Sequence, residues 1–284
     1  MDTYIQSGET LEAAWQRTSH LAIGAHQDDL EIMAVAGILE CYGDPKQGFM
    51  GVVVTNGAQS ARSGPYANHT DAEMAQVRSA EQRHAAEIGK YAALVQLNYP
   101  SAEIKHPERR AGLREDLHAL FGHVRPKTVY THSLFDTHAT HRAVALAVIE
   151  VLRELGPERT PAAVLGCEVW QDLDWLPPEA RVSLDVSAAP ELQEQLLSVF
   201  HSQIAGGKRY DLAALGRRRA HATFGESHQV DAASGIVYAM DLLPLLHNPL
   251  LSFTEYLSLL CDRHRERSIA QLQSMLHVPP SAES

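Results

Sequence analysis

A chain of 284 residues with 45% hydrophobic content can bury one large core or two modest ones, and a formal charge of −11 leaves no general basic face for nucleic acid. No run of about eighteen apolar residues is present, and the opening MDTYIQSGETLEAAWQ lacks the basic-then-apolar layout of a secretory signal; no membrane association is expected, and the chain reads as cytoplasmic. Cys41, Cys167 and Cys261 lie far apart with no CxxC spacing, so neither a disulfide framework nor a thiolate zinc site is indicated, and all three read as buried filler.

Short apolar runs rich in Val, Ile and Tyr predict strands over 20–25, 48–56, 93–99, 128–132 and 163–170. Between them, Ala, Glu and Leu at helical spacing predict helices over 30–42, 70–90, 107–124 and 140–155, with GDPKQG and ELGPERTP as turns. This alternation predicts an α/β fold, a Rossmann-like, mostly parallel sheet with helices on both faces. A further strand over 180–187 leads into a helix near Pro190, where proline suits an early helical position. The last third is less regular until 253–276, which reads as one long amphipathic helix packing on the domain or on a second subunit. With no repeat or low-complexity linker, the simplest division is an α/β domain over 1–245 and a helical extension over 246–284. GRRRAH at 216–221 is the one strong basic cluster and reads as a solvated helix face or as internal partners for some of the 35 carboxylates.

The segment IGAHQDDLE, 23–31, sets a histidine and three acids at the end of the first of these strands, the end at which doubly wound sheets bind ligands. His26 and Asp29 can project into one crevice across a single turn. One aspartate is accounted for as a helix N-cap, but the whole cluster carries more negative charge than capping requires and is costly without a cation. A second cluster follows the strand TVYTH. His138 and His141 are three apart at a loop-to-helix junction, also at a strand's carboxyl end, while His132 reads as bonded to backbone and Asp136 as a turn cap.

Two imidazoles and one carboxylate leave zinc an open position, so His26, Asp29 and His141 are the expected ligands of one Zn2+ per chain, other divalent metals remaining open. A water bound there has its pKa lowered to about 7 and becomes a nucleophile at neutral pH. Asp28 is then placed to accept its proton, and His138 to act as electrophile to the oxyanion and acid to the departing amine.

AHQDDLE followed by DTHATH resembles the signature of the PIG-L/LmbE-like N-acetylglucosaminyl deacetylases, zinc enzymes that remove acetyl from N-acetylated aminosugars and their conjugates. The family's His-Pro-Asp-Asp-x-Glu run is matched at His26, Asp28, Asp29 and Glu31, with Gln27 where proline is usual. Its His-x-Asp-His run is matched at His138 and His141, with Thr140 where an acid is common, which leaves the orientation of a neighbouring histidine unassigned. The likeness covers about residues 20–230 and implies an LmbE-like deacetylase domain with the same ligands, general base and electrophile. It further implies Arg78 as a substrate contact; Arg62 and His69 on the 55–70 loop, and Glu226 and His228 at the end of GRRRAHATFGESH, are further candidates.

The expected function is therefore metal-dependent hydrolysis of an N-acetylated aminosugar or small sugar conjugate. The alternatives are a metal-dependent phosphoesterase, which requires a second set of ligands, and a non-catalytic sugar-binding protein, in which Asp28 has no duty. The acidic surface and long final helix are compatible with a homo-oligomer.

Overall fold

The computed structural model describes residues 2–225 and 227–276. Strands β1 (Asp2–Ile5), β2 (Thr18–Gly24), β3 (Gly48–Thr55), β4 (Ala93–Tyr99), β5 (Thr128–His132), β6 (Ala163–Cys167), β7 (Arg181–Asp185) and β8 (Ile236–Asp241) form one sheet in the order β1-β4-β3-β2-β5-β6-β8-β7. The five central strands, β4-β3-β2-β5-β6, are parallel, and β1, β8 and their neighbours pair antiparallel at the edges. β3 and β4 continue to one side of β2, and β5 and β6 to the other. The gap beyond the carboxyl ends of β2 and β5 is thus the point where strand order reverses, and there a crevice opens without any strand having to bend.

The central strands are buried on both faces, as continuous apolar runs such as Leu21, Ala22, Ile23 and Met50, Val52, Val53, Val54 require. Helices α1 (Leu11–Arg17), α2 (Asp29–Met33), α3 (Val35–Cys41), α4 (Asp71–Ile88), α5 (Ser101–Ile104), α6 (Ala111–His123) and α7 (Ala139–Leu155) connect them. The chain continues through α8 (Pro190–Ser198), α9 (His201–Ala205), α10 (Tyr210–Phe224), α11 (Leu243–His247) and α12 (Phe253–Met275). α4 starts on a capping box from Thr70 and Glu73, and α12 on one from Ser252 and Glu255.

Several expectations are corrected in detail. The helix expected over 30–42 breaks at Ala34 although no glycine or proline marks the place. Arg218 of α10 donates to the carbonyls of Glu31 at 2.7 Å and Ile32 at 3.3 Å, satisfying the carbonyls that a helix end leaves free. The strand expected over 163–170 stops at Cys167, because the Glu168 carboxylate takes the backbone N–H groups of Tyr238 (3.2 Å) and Leu173 (3.1 Å), turning Val169 and Trp170 away from the ladder. β1 and β8 are additions to the expected strands, β8 slotting out of chain order between β6 and β7. Cys41 and Cys167 are buried, but Cys261 is exposed on α12. The GRRRAH cluster divides between both readings: Arg217 pairs with Asp172 and Arg218 is buried against Gln193, while Arg219 stays on the solvated face, 3.9 Å from the exposed Glu194. Among the described residues no helix is long and apolar enough to cross a membrane.

Candidate metal centre and its cleft

The turn after β2 is packed tightly. A Cβ on Gly24 would lie 3.0 Å from the Cβ of Asp29, so only glycine lets the strand end approach the start of α2 this closely. Asp28 takes the N-cap position with φ 88°, a left-handed conformation uncommon for a non-glycine residue, and makes no side-chain cap. The Asp29 carboxylate instead reaches back to accept the His26 N–H at 2.6 Å. Neither aspartate is spent on capping.

Three donor groups converge. His26 Nδ1 lies 3.0 Å from His141 Nε2 and 3.4 Å from Asp29 Oδ2, and His141 Nε2 lies 3.5 Å from Asp29 Oδ1. Tetrahedral ligands about 2.1 Å from a common zinc stand about 3.4 Å apart, so these spacings are close to those of donors sharing one divalent cation, with Asp29 meeting each histidine through a different oxygen. His138 is adjacent, edge-on to the His26 ring with centroids 4.8 Å apart, and the ligand atoms of His26, His138 and His141 all lie within 4.8 Å of one another. The same holds for Asp29, His132 and His141. His132 Nε2 accepts the Ala25 N–H at 2.9 Å and lies 3.2 Å from Asp29 Oδ2, so its use as a ligand would cost the Ala25 bond; its ring stacks on His141 at 3.8 Å. That is the backbone-bonded role read from sequence.

Asp136 does more than cap a turn. One carboxylate oxygen accepts the His138 N–H at 2.7 Å; the other accepts the Trp170 N–H at 3.1 Å and sits 3.2 Å from His141 Nδ1. A carboxylate beside Nδ1 orients the His141 ring and leaves the Nε2 lone pair facing the cleft, the support that Thr140 does not provide. Burial lowers the His141 pKa to about 4, against the pull of Asp29, so the ring is neutral at neutral pH, as a ligand must be. Burial acts to raise the Asp29 carboxyl, but the His141 and His132 imidazoles outweigh it and hold it well below the usual range. Burial, aided by His26, also lowers His138.

Asp28 is held from behind. Its N–H donates to Gln82 Oε1 at 3.1 Å, and Gln82 Nε2 donates to Glu31 Oε1 at 2.7 Å, which also accepts the Tyr91 hydroxyl at 2.6 Å. Burial raises the Asp28 carboxyl well above its ordinary value; the charge of Arg78 opposes this, and Asp29, Glu31 and Glu81 add to it. Gln27, in the place of the usual proline, donates to the Thr55 carbonyl at 3.0 Å and ties the turn to the end of β3.

The cleft above these groups holds about 460 Å³ and is lined by His26, Asp28, Asp29, His138 and His141 together with Arg78. Arg78 is not a helix-surface residue: it is 1% exposed, its Nη2 donates to the Gln27 carbonyl at 2.6 Å, and its Nε and Nη1 have no hydrogen-bond partner. Gly57 (φ 68°) makes room for it, since a Cβ there would meet Gln27 Oε1 at 2.5 Å and Arg78 Cγ at 3.0 Å. The structure does not bring Arg62, His69 or His228 to the cleft. Arg62 is held by Asp71 and the Ala58 carbonyl, His69 packs edge-on to Tyr66, His228 is exposed beyond α10, and Glu226 lies outside the described residues. Trp170, Tyr210, Lys105 and Lys208 also line the cleft and carry no signal of their own in the sequence beyond the EVW stretch.

Residues 21–152 match the family model PIG-L, GlcNAc-PI de-N-acetylase, and with that match the resemblance read from the two motifs stands. The segment carries every donor group described above. Similar solved structures include the conserved protein TT1542 from Thermus thermophilus, 19% identical over 82% of this chain and 98% of that one, with a TM-score of 0.60. N,N'-diacetylchitobiose deacetylase from Pyrococcus horikoshii is 18% identical over 79% and 83% of the two chains at a TM-score of 0.57. GalB, the 4-carboxy-2-hydroxymuconate hydratase from Pseudomonas putida, is 16% identical over 79% and 96% at 0.60. At these identities the likeness establishes the shared α/β fold. No curated protein sequence matches the chain.

Proposed function

We propose that the chain is a metal-dependent N-deacetylase of an N-acetylated aminosugar or sugar conjugate. The observation that carries this reading is the convergence of His26 Nδ1, His141 Nε2 and the Asp29 carboxylate beside Asp28, a carboxylate engaged neither in capping nor as a donor to the same centre. A divalent ion held by His26, Asp29 and His141, for which zinc suits the donor set, would supply Lewis-acid polarisation of the acyl oxygen and acidify a water. Asp28 then accepts the proton of the attacking water, and its raised carboxyl pKa makes it a better base than an ordinary aspartate. His138 faces the acyl oxygen as electrophile. Its acid role toward the amine requires a charged ring, which burial works against, so hydrogen bonding to the developing oxyanion is the part of its assignment that the surroundings favour. Arg78, whose Nη1 lies 3.8 Å from the Glu81 carboxylate, offers N–H groups that make no hydrogen bond among the described residues to sugar hydroxyls at the cleft wall.

The family match and the deacetylase neighbour support the reaction class, while the hydratase neighbour is a reminder that this fold hosts other chemistry. A two-metal phosphoesterase is disfavoured because, among the described residues, both possible donor groups share His141 and so describe one centre. The test is acetate release from N-acetylglucosamine derivatives by protein of defined metal content. Release abolished by a chelator and restored by zinc is expected; phosphate release from a generic phosphoester with no acetate release overturns the reading.

A further inference from the structure

The sheet ends on β7, and among the described residues no strand pairs with its outer side. Along the antiparallel ladder to β8, the Val186 N–H donates to the Gly235 carbonyl and the Asp241 N–H to the Ala180 carbonyl. Alternation then commits the backbone groups of Val182 and Leu184 to β8 as well and turns those of Arg181, Ser183 and Asp185 outward. The Arg181 N–H is taken by the Pro177 carbonyl at 3.1 Å; the N–H groups of Ser183 and Asp185 have no backbone partner among the described residues. Open edges are normally blunted by a proline, a bulge or a covering element. β7 contains no proline and no break of register, and Ser183 and Asp185 are exposed.

The strand, RVSLD, is complementary to itself. A second copy running antiparallel about Ser183 sets Ser183 opposite Ser183, Val182 opposite Leu184 and Arg181 opposite Asp185. Outward-facing residues then meet outward-facing residues, so the two Ser183 residues exchange N–H and carbonyl, and each Asp185 N–H meets the Arg181 carbonyl of the other copy. Val182 and Leu184 fall in non-hydrogen-bonded pairs, where side chains approach most closely. Both line a groove of about 300 Å³ with Ala163, Leu165 and Leu243, and both are half-buried, so the joint extends an apolar face that each copy leaves incomplete. On the opposite face Arg181 and Asp185 are left for each other. Arg181 lies over the Tyr238 ring at 4.5 Å and donates to the Asp174 carbonyl, while Glu179 beside it is engaged with Arg263 at 3.5 Å. Asp185 accepts the Ser187 N–H at 2.8 Å and hydroxyl at 2.6 Å through Oδ1, which leaves Oδ2 for a cation. The other edge strand, β1, has no such pattern, its one charge, Asp2, being held by Arg83 at 2.6 Å.

We infer that β7 is the docking edge for a second copy of this chain, the two sheets joining into one continuous sheet about a two-fold axis at Ser183. The axis reverses strand direction, so the two clefts open toward opposite ends of the joined sheet, and the pairing is independent of the reaction. The joint is short, at the weak end of specific interfaces, and protein concentration is therefore the variable. The experiment is sedimentation equilibrium over a rising concentration series, with thermal melts of dilute protein to check folding. It compares the wild type with Ser183→Pro, Arg181→Asp, Asp185→Arg and the double exchange Arg181→Asp/Asp185→Arg. Proline at 183 removes an outward N–H and spares the ladder to β8.

The expected result is a wild-type dimer whose dissociation constant rises about 10-fold or more in Ser183→Pro and in each single exchange, which sets like charges face to face across the joint. The double exchange restores opposite charges and should return the constant to within about 3-fold of the wild type. A wild type that stays monomeric up to about 0.5 mM overturns the inference. So does a dimer that Ser183→Pro leaves unchanged, since the interface then lies elsewhere, or one that the single exchanges weaken without recovery in the double. Should Ser183→Pro fail to fold, recovery in the double exchange decides; should the charge variants fail, Ser183→Pro decides.

Discussion

The floor and the rim of the cleft are built on different terms. On the floor, Asp29, Asp136, Gln82 and Glu31 are buried, and each bonds a neighbour that is itself part of the site. On the rim, Lys105 and Lys208 are exposed and make no ion pair among the described residues, and Trp170 is held through its backbone N–H and by stacking. A floor side chain cannot be exchanged without orphaning a buried partner at about 1–3 kcal/mol, whereas a rim side chain alters only what the cleft meets. Floor variants should therefore change whether the reaction runs, and rim variants on what it runs.

The largest effects test whether the floor divides into ligands and base. His141→Ala should lose both the ion, read as metal content after dialysis, and turnover; full metal occupancy in that variant removes His141 from the ligand set. Asp28→Asn should keep the ion and lower kcat by about 10²–10⁴-fold. Unchanged turnover would refute the base assignment and leave Asp28 as a residue of the turn alone.

A smaller effect probes the layer behind Asp28. Gln82→Leu leaves the Asp28 N–H without a partner and the Glu31 carboxylate with the Tyr91 hydroxyl alone, and the turn at φ 88° loses the contact that holds it. We expect metal content to be retained, kcat to fall by about 10-fold and KM to change little, since a displaced base costs rate more than affinity. Equal losses in Tm and in KM, with kcat intact, would mean that Gln82 serves the fold only.

What the sequence discloses follows the same division. The strand-end clusters are legible because crowded histidine and acid beside apolar strands is an expensive pattern that capping alone does not explain, and both clusters fall at the switch point that β2 and β5 create. Gln82 is not legible, and Arg218 is legible only as one member of a basic cluster, without its partner. The partner of each lies far along the chain, 54 positions away for the Asp28 N–H and 187 for the Glu31 carbonyl. Asp136 reads as a turn cap because its bond to the His138 N–H is local, while the contact to His141 and the bond from Trp170 depend on how α7 and the segment after β6 meet. Arg62 and His228 have the residue types of contacts, but Arg62 is drawn to Asp71 and the Ala58 carbonyl although Ser60 and Ala61 beside it line the cleft, and His228 is exposed beyond α10.

The smallest expected effect concerns α12 and the proposed boundary near residue 245, which treats the last helix as an extension. The helix is anchored at its start: Tyr256 donates to the Asp241 carbonyl at 2.6 Å, and Leu260 is 1% exposed within the main core cluster. Beyond Cys261 the helix turns to solvent, and Leu272 is 59% exposed. Leu260→Ala should lower the unfolding free energy by about 2–4 kcal/mol through the cavity it leaves, and Leu272→Ala should stay within about 0.5 kcal/mol, both read by denaturant melts of dilute protein. A large loss at Leu272 that grows with protein concentration would show this exposed stretch buried against a second copy, and the distal half of α12 would then belong to an assembly rather than to an independent extension.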